Sequence, residues 1–267
     1  MSLFPKFLKV NVLEESQYRA NIISGTICQF FFGLFYIVLY MAFFESGIQQ
    51  DFSCAQMATY IWLGQAFFAI FCFHDVNKAH ITKKILSGDV SYQLLKPINL
   101  YDYWLMESMT RSLSMALYRS VPIIIIASLL PSGYALIVPV SVGAFAIFVC
   151  ALIAGWVLIN IIKMFSYICI LYTMDAYGVF AITVAVCSLL AGSVIPIPMM
   201  PVWLQNVLSF LPFRYSSDLA YRVYIGNIGI ADGVIQMGIQ IIWIVGLYTL
   251  GKILMNNKSK KLVVQGG

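Results

Sequence analysis

The chain has 267 residues, 61% of them hydrophobic and only 10% charged, against roughly 25% charged in soluble domains. That balance excludes an ordinary soluble globular protein and reads as an integral membrane protein. The net charge of +5 does not describe a nucleic-acid surface, because the lysines flank apolar runs and no basic domain exists to hold a duplex.

Residues 1–19 carry Lys6, Lys9, Glu14 and Glu15 and show neither an apolar signal core nor a small-residue cleavage site. Phe4, Phe7, Leu8 and Val12 share a helical face, with Lys9 and Glu15 assigned away from it. An N-terminal amphipathic interfacial helix on the cytoplasmic surface is expected. Residues 22–44 are apolar apart from Ser24, Thr26 and Gln29, long enough to cross a hydrocarbon core of about 30 Å. The short acidic stretch 45–53 lies outside by the positive-inside rule, and residues 54–73 return as the second span.

Residues 78–100 form the longest polar interruption and hold Lys78, Lys83, Lys84 and Lys96, which place it in the cytoplasm. Ile81, Ile85, Val90, Leu94 and Leu95 recur at near-helical spacing, while Gly88 and Pro97 divide the stretch into two short segments. Two readings stay open: an interfacial helix on the headgroups, or a docking element for a soluble partner.

Residues 103–130 give a third span, closed by the uncharged turn Pro131-Ser132-Gly133. The fourth runs from 135 to about 162, with Lys163 on the cytoplasmic side, and the fifth from 165 to about 193. Between 194 and 232, Pro196, Pro198, Pro201 and Pro212 interrupt apolar segments too short to cross, which predicts an external re-entrant helical hairpin. Residues 233–255 form the sixth span, and Lys252, Lys258, Lys260 and Lys261 hold the tail inside. The fold expected is all-α, six transmembrane helices in one membrane domain over residues 1–267, with both termini cytoplasmic.

Cys28, Cys54, Cys72, Cys150, Cys169 and Cys187 are scattered without paired spacing and read as free thiols. Gly246 to Lys252 matches the start of a phosphate-binding loop, but lacks the following Ser or Thr and sits in an apolar span. Cys72, His74, Asp75 and His80 fit no common metal-ligand spacing, so no metal site is expected. No catalytic motif is found. Arg119 and Asp175 stand out as intramembrane charges, Asp175 near the middle of span five, each requiring a partner or water. They are expected to pair with each other or with Tyr118, Tyr167 or Thr173, or else to serve a substrate directly. Glu107 and Arg111 form an i,i+4 pair, and Ala151 with Gly155 offers a close-packing step.

The segment 189–215, LLAGSVIPIPMMPVWLQNVLSFLPFRY, places Gly192, Pro196, Pro201, Trp203, Leu204, Leu211, Pro212, Phe213 and Tyr215 in an order that resembles the permeases of ABC-2 type transporters. The cytoplasmic Ile85-Leu-Ser-Gly88-Asp89-Val90-Ser-Tyr-Gln-Leu94-Leu95-Lys-Pro97 resembles the same family's loop. The resemblance covers essentially the whole chain and is nearest to short permease subunits whose ATPase is a separate polypeptide. It implies an exporter in a bacterial plasma membrane, moving a hydrophobic or amphipathic substrate: lipid-linked, peptide or drug-like. Gly88, Asp89, Val90, Leu94, Leu95 and Pro97 would form a coupling helix on an ABC ATPase dimer that binds ATP and Mg, and a second permease, identical or related, would complete the complex. No cofactor is implied in this chain. The alternative from the residues themselves is an ion-coupled secondary transporter with Asp175 as its cation site.

Overall fold

The structure, a computed structural model, describes residues 3–45, 53–71, 80–94 and 97–259. Its regular elements there are all helical. Three helices are long and apolar enough to cross a membrane: α2 (Arg19–Glu45), α8 (Val142–Thr173) and α12 (Ile230–Ser259). They are the runs in which the sequence offers almost no charge, so helix, which satisfies its own backbone, is the form lipid permits.

The N-terminal helix α1 (Leu3–Gln17) packs along α7 (Leu100–Ser128). Phe7 meets Tyr103 edge-on at 5.3 Å, the Asn11 amide donates to Thr110 Oγ1 at 2.9 Å, and the Tyr118 hydroxyl donates to the Val12 carbonyl at 3.2 Å. The predicted face is the inward one, with one correction: Glu15 lies on it and is buried. Residues 4, 8, 11 and 15 fall on one helical stripe, so the spacing that buries Phe4 buries Glu15 too.

Helix α3 (Cys54–Ala66) starts at a capping box, Ser53 Oγ accepting the Gln56 amide while the Gln56 side chain takes the Ser53 amide. It breaks at Phe67 before α4 (Phe68–Phe71). The cause is a trade of partners: Ser120 Oγ donates to the Ala66 carbonyl at 2.8 Å, and the Ile70 amide turns to the Phe67 carbonyl instead.

Helix α8 does not end near Ile162, as its charge pattern suggests. It runs through Lys163 for another ten residues, because Lys163 is buried and its ammonium donates to the Ile70 carbonyl at 3.4 Å, in the last turn of α4. A carbonyl oxygen carries two lone pairs and can receive a buried cation. The chain then turns at Met174, which has φ 55, into α9 (Ala176–Leu190). Ser166 Oγ donates to Thr183 Oγ1 at 3.1 Å, which marks α8 and α9 as the arms of a helical hairpin.

Beyond α9 the chain makes a 3-10 turn (Ile197–Met199), α10 (Val202–Ser209) and α11 (Arg214–Tyr224), all too short to cross. Helix α11 is buried along most of its length between α8, α3 and α12. Ala151 and Gly155 are the close-packing step the spacing suggests: a Cβ on Gly155 would collide with the Ser216 carbonyl oxygen. Gly155→Ala is therefore expected to cost about 1–3 kcal/mol by overpacking, read as a lower unfolding midpoint in detergent.

Two ends of the bundle can be told apart. At one, Asn99 bonds Asn256, Lys252 pairs with Asp102 at 2.7 Å, and Lys258 lies over the Tyr172 ring. At the other, Trp62 Nε1 donates to the Tyr134 carbonyl and Gln56 Nε2 to the Ile225 carbonyl.

Candidate functional site

A cavity of about 260 Å³ opens between α2, α3, α4, α8, α9 and α11. Its wall is aromatic, with Tyr36 and Tyr40 from α2, Tyr60 from α3, Phe68 and Phe71 from α4, and Tyr221 from α11. Gln65, Ser188, Ser193, Ser216 and Ser217 supply polar points, and among the described residues no charged side chain lines it. Such a space suits an apolar or amphipathic molecule held by a few directed hydrogen bonds.

The segment after α9 forms one side of this cavity. Gly192, with φ +77, turns the chain where a Cβ would stand 2.7 Å from Ile197 Cγ1, and Gly192 and Pro196 both line the space. The Tyr40 hydroxyl donates to the Val194 carbonyl at 3.1 Å, tying the turn to α2. Gln205 Nε2 donates to the carbonyls of Pro198 and Met200, and the Tyr215 hydroxyl to that of Ser209, so the bends have partners for these backbone oxygens. Pro201 begins α10, Trp203 is 67% exposed, and Pro212 and Phe213 make the turn into α11. None of these four lines the cavity.

Behind the wall sits a charge cluster that the spacing of Arg214, Asp218 and Arg222 makes visible in sequence as an i,i+4,i+8 row. Asp218 has no exposed surface. Its Oδ2 meets Arg214 Nε at 3.3 Å and an Arg222 Nη at 3.7 Å, and its Oδ1 accepts the Tyr60 hydroxyl at 2.8 Å. Arg222 also donates to Asn227 at 2.7 Å and Arg214 to Gln236 at 3.4 Å. Among the described residues the buried Tyr221 hydroxyl has no hydrogen-bond partner, and burial, with the Asp218 carboxylate, holds its pKa far above the usual value. It stays a neutral donor beside the cavity.

The two charges singled out in the sequence are not brought together. Asp175 is the N-cap of α9, exposed, its Oδ1 accepting the Gly178 amide at 3.0 Å. It stands at the hairpin tip, at the end of the bundle that holds Tyr172 and Lys258, rather than midway along a span. The misplacement follows from Lys163: once α8 extends to Thr173, the turn falls on Asp175. An aspartate three residues ahead of a glycine amide at a helix start is a capping signal. The cation site of a secondary transporter loses its residue. Arg119 packs on α2 instead.

Glu107 is also re-assigned, meeting His80 Nδ1 at 3.1 Å rather than Arg111. Cys72, His74 and Asp75 lie outside the described residues, among which no group of three or more His, Cys, Asp or Glu could hold a metal ion. Gly246 to Lys252 is continuous helix within α12, so its backbone amides are spent on the helix and cannot cradle phosphate.

The polar segment expected in the cytoplasm folds as α5 (His80–Ser87) and α6 (Val90–Leu94), joined at Gly88 with φ +80. Its apolar stripe faces inward. Ile81, Ile85 and Val90 are 2, 2 and 3% exposed, α5 packs on α8, and Gln93 Oε1 accepts the Trp104 indole at 2.7 Å. Val90 is thus not free to enter a partner, a correction to its expected role, because its side chain already lies in the hydrophobic core of the bundle. Leu95 and the side chain of Leu94 lie outside the described residues. Exposed at the bend are Leu86, Ser87, Gly88, Asp89 and Tyr92, with Pro97 exposed beyond it.

Comparison with known proteins agrees with this architecture. A family model described as ABC-2 family transporter protein matches residues 27–266. No curated protein and no solved structure matches the chain. With that match spanning nearly its whole length, the chain belongs to the ABC-2 family of transporter proteins and is a multi-pass membrane permease of an ABC transporter.

Proposed function

We propose that this permease is the membrane subunit of an ATP-driven exporter, passing a hydrophobic or amphipathic substrate through the tyrosine-lined cavity and out past the segment that begins at Gly192. The observation that carries the reading is the cavity itself, enclosed by six helices and walled on one side by Gly192 and Pro196. In this reading α2, α3 with α4, α7, α8, α9 and α12 cross the membrane, and residues 1–267 form one membrane domain. The turn at 192–213 is the re-entrant hairpin on the outer side. The end holding Lys252, Lys258 and α5 faces the cytoplasm of a bacterial cell, as do both termini.

Energy comes from a separate ATPase dimer, which binds ATP and Mg and docks at the bend around Gly88 and Asp89. A second permease, identical or related, faces the first. The protein's own part is to offer a chamber with neutral donors such as Tyr221 and to exclude charge from its wall.

Filling the chamber tests this. Ser188→Trp, in vesicles holding the permease and its ATPase, is expected to lower ATP-dependent efflux at least tenfold while Ser188→Ala leaves it unchanged. Full efflux through the Trp variant would remove the cavity from the path. Efflux driven by an ion gradient without ATP would remove the exporter class.

A further inference from the structure

We infer that the contact between α2 and α7 holds a phosphate-bearing ligand, gripped by Arg119 and Gln29. The inference stands independently of the cavity and of the direction of transport. Arg119 lies on α7, and its guanidinium rests on the backbone of α2: a Cβ on Gly25 would stand 2.8 Å from Cζ and 3.0 Å from each Nη. Only glycine leaves that spot open. Among the described residues Arg119 makes neither an ion pair nor a side-chain hydrogen bond, although five N–H donors converge there.

One helical turn further on, on the same inward face of α2, Gln29 is 6% exposed, and both its Nε2 and its Oε1 are buried without a partner. A helical side chain leans toward the turn that precedes it, so the Gln29 amide covers the surface beside Gly25, where the guanidinium lies. A partly exposed cation with no protein partner and a buried amide with none, among the described residues and on packed helices, describe a site built for an oxyanion. The guanidinium fork and the Nε2 hydrogens match phosphate oxygens, while Oε1 is left to accept a hydroxyl of the same ligand. Arg119 is partly exposed, which gives the ligand a way in. A glycerol-phosphate headgroup carries both features, and a hydrogen phosphate ion carries them as well.

The full chain, purified in a maltoside detergent free of phosphate, is titrated with dioctanoyl phosphatidylglycerol, with dioctanoylglycerol and with inorganic phosphate, and its unfolding midpoint is followed. The phospholipid is expected to raise the midpoint by a few degrees and dioctanoylglycerol not to. Arg119→Gln should abolish the rise. Gln29→Leu should at least halve it while leaving the midpoint in plain detergent equal or higher, since the variant removes two unpaired polar atoms. If Arg119→Gln does not fold, Gln29→Leu decides alone. A rise with inorganic phosphate equal to that with phospholipid assigns the site to soluble phosphate; a rise with phospholipid alone assigns it to a headgroup. No rise with either, an equal rise with dioctanoylglycerol, or a rise that both variants retain overturns the proposal.

Discussion

Asp218→Leu is expected to destabilise the permease by about 3–5 kcal/mol, enough to deplete the folded fraction recovered in detergent. The variant leaves Arg214 and Arg222, with side chains 11 and 16% exposed, without their shared carboxylate, and strands the Tyr60 hydroxyl that donates to it. The expense lies in the orphaned charge rather than in the lost attraction, because desolvated guanidinium groups keep their full penalty once the counter-ion is gone. Asp218→Leu combined with Arg222→Leu should therefore cost less than the two single changes added together. The check is a double-mutant cycle on unfolding midpoints. Strict additivity would show that Asp218 and Arg222 do not act as a pair, and a loss below about 1 kcal/mol would show that water reaches the cluster.

The second large effect concerns the bend at Gly88. Leu86→Asp with Tyr92→Asp should leave the permease folded and abolish its co-purification with the ATPase, together with ATP-driven transport. These side chains are 46 and 71% exposed on either side of Gly88 and Asp89, whereas the neighbouring Ile85 and Val90 are committed to the bundle. Burying one leucine and one tyrosine in a partner groove is worth roughly 3–5 kcal/mol at the usual transfer value, and two aspartates reverse the sign. A short pair of helices whose inner face is fixed in the bundle core can pass on a push without yielding, provided the outer face is what the ATPase holds. A double variant that still retains the ATPase would place the contact elsewhere.

Most of the helical skeleton was legible. The runs that became α2, α8 and α12 carry so few charges that composition alone settles their form. The limits of α8 were not, because one lysine in an apolar run looks like a boundary until a distant carbonyl, that of Ile70, is known to receive it. The same contact hid the hairpin turn and displaced Asp175 from its true place as a cap. In the segment 80–94 the periodicity of Ile81, Ile85 and Val90 correctly announced a buried helical stripe. Periodicity says that a face will be buried and is silent on what buries it, so a stripe packed on α8 read equally well as one meant for a partner. The row Arg214, Asp218, Arg222 was readable at helical spacing, but its burial came from Tyr60, far away in the chain.

Gln240 gives the bundle an order of assembly. Its Nε2 bonds the carbonyls of Ala151 and Tyr215 at 3.0 and 2.7 Å, across 89 and 25 residues of chain. Until α12 has entered the bilayer, those two oxygens and the tight seam at Gly155 wait beside a vacant groove. A chain cut short before residue 240 would thus lack both of these bonds and leave the seam at Gly155 uncovered by α12. The last helix acts as the bolt that closes the seam between α8 and α11.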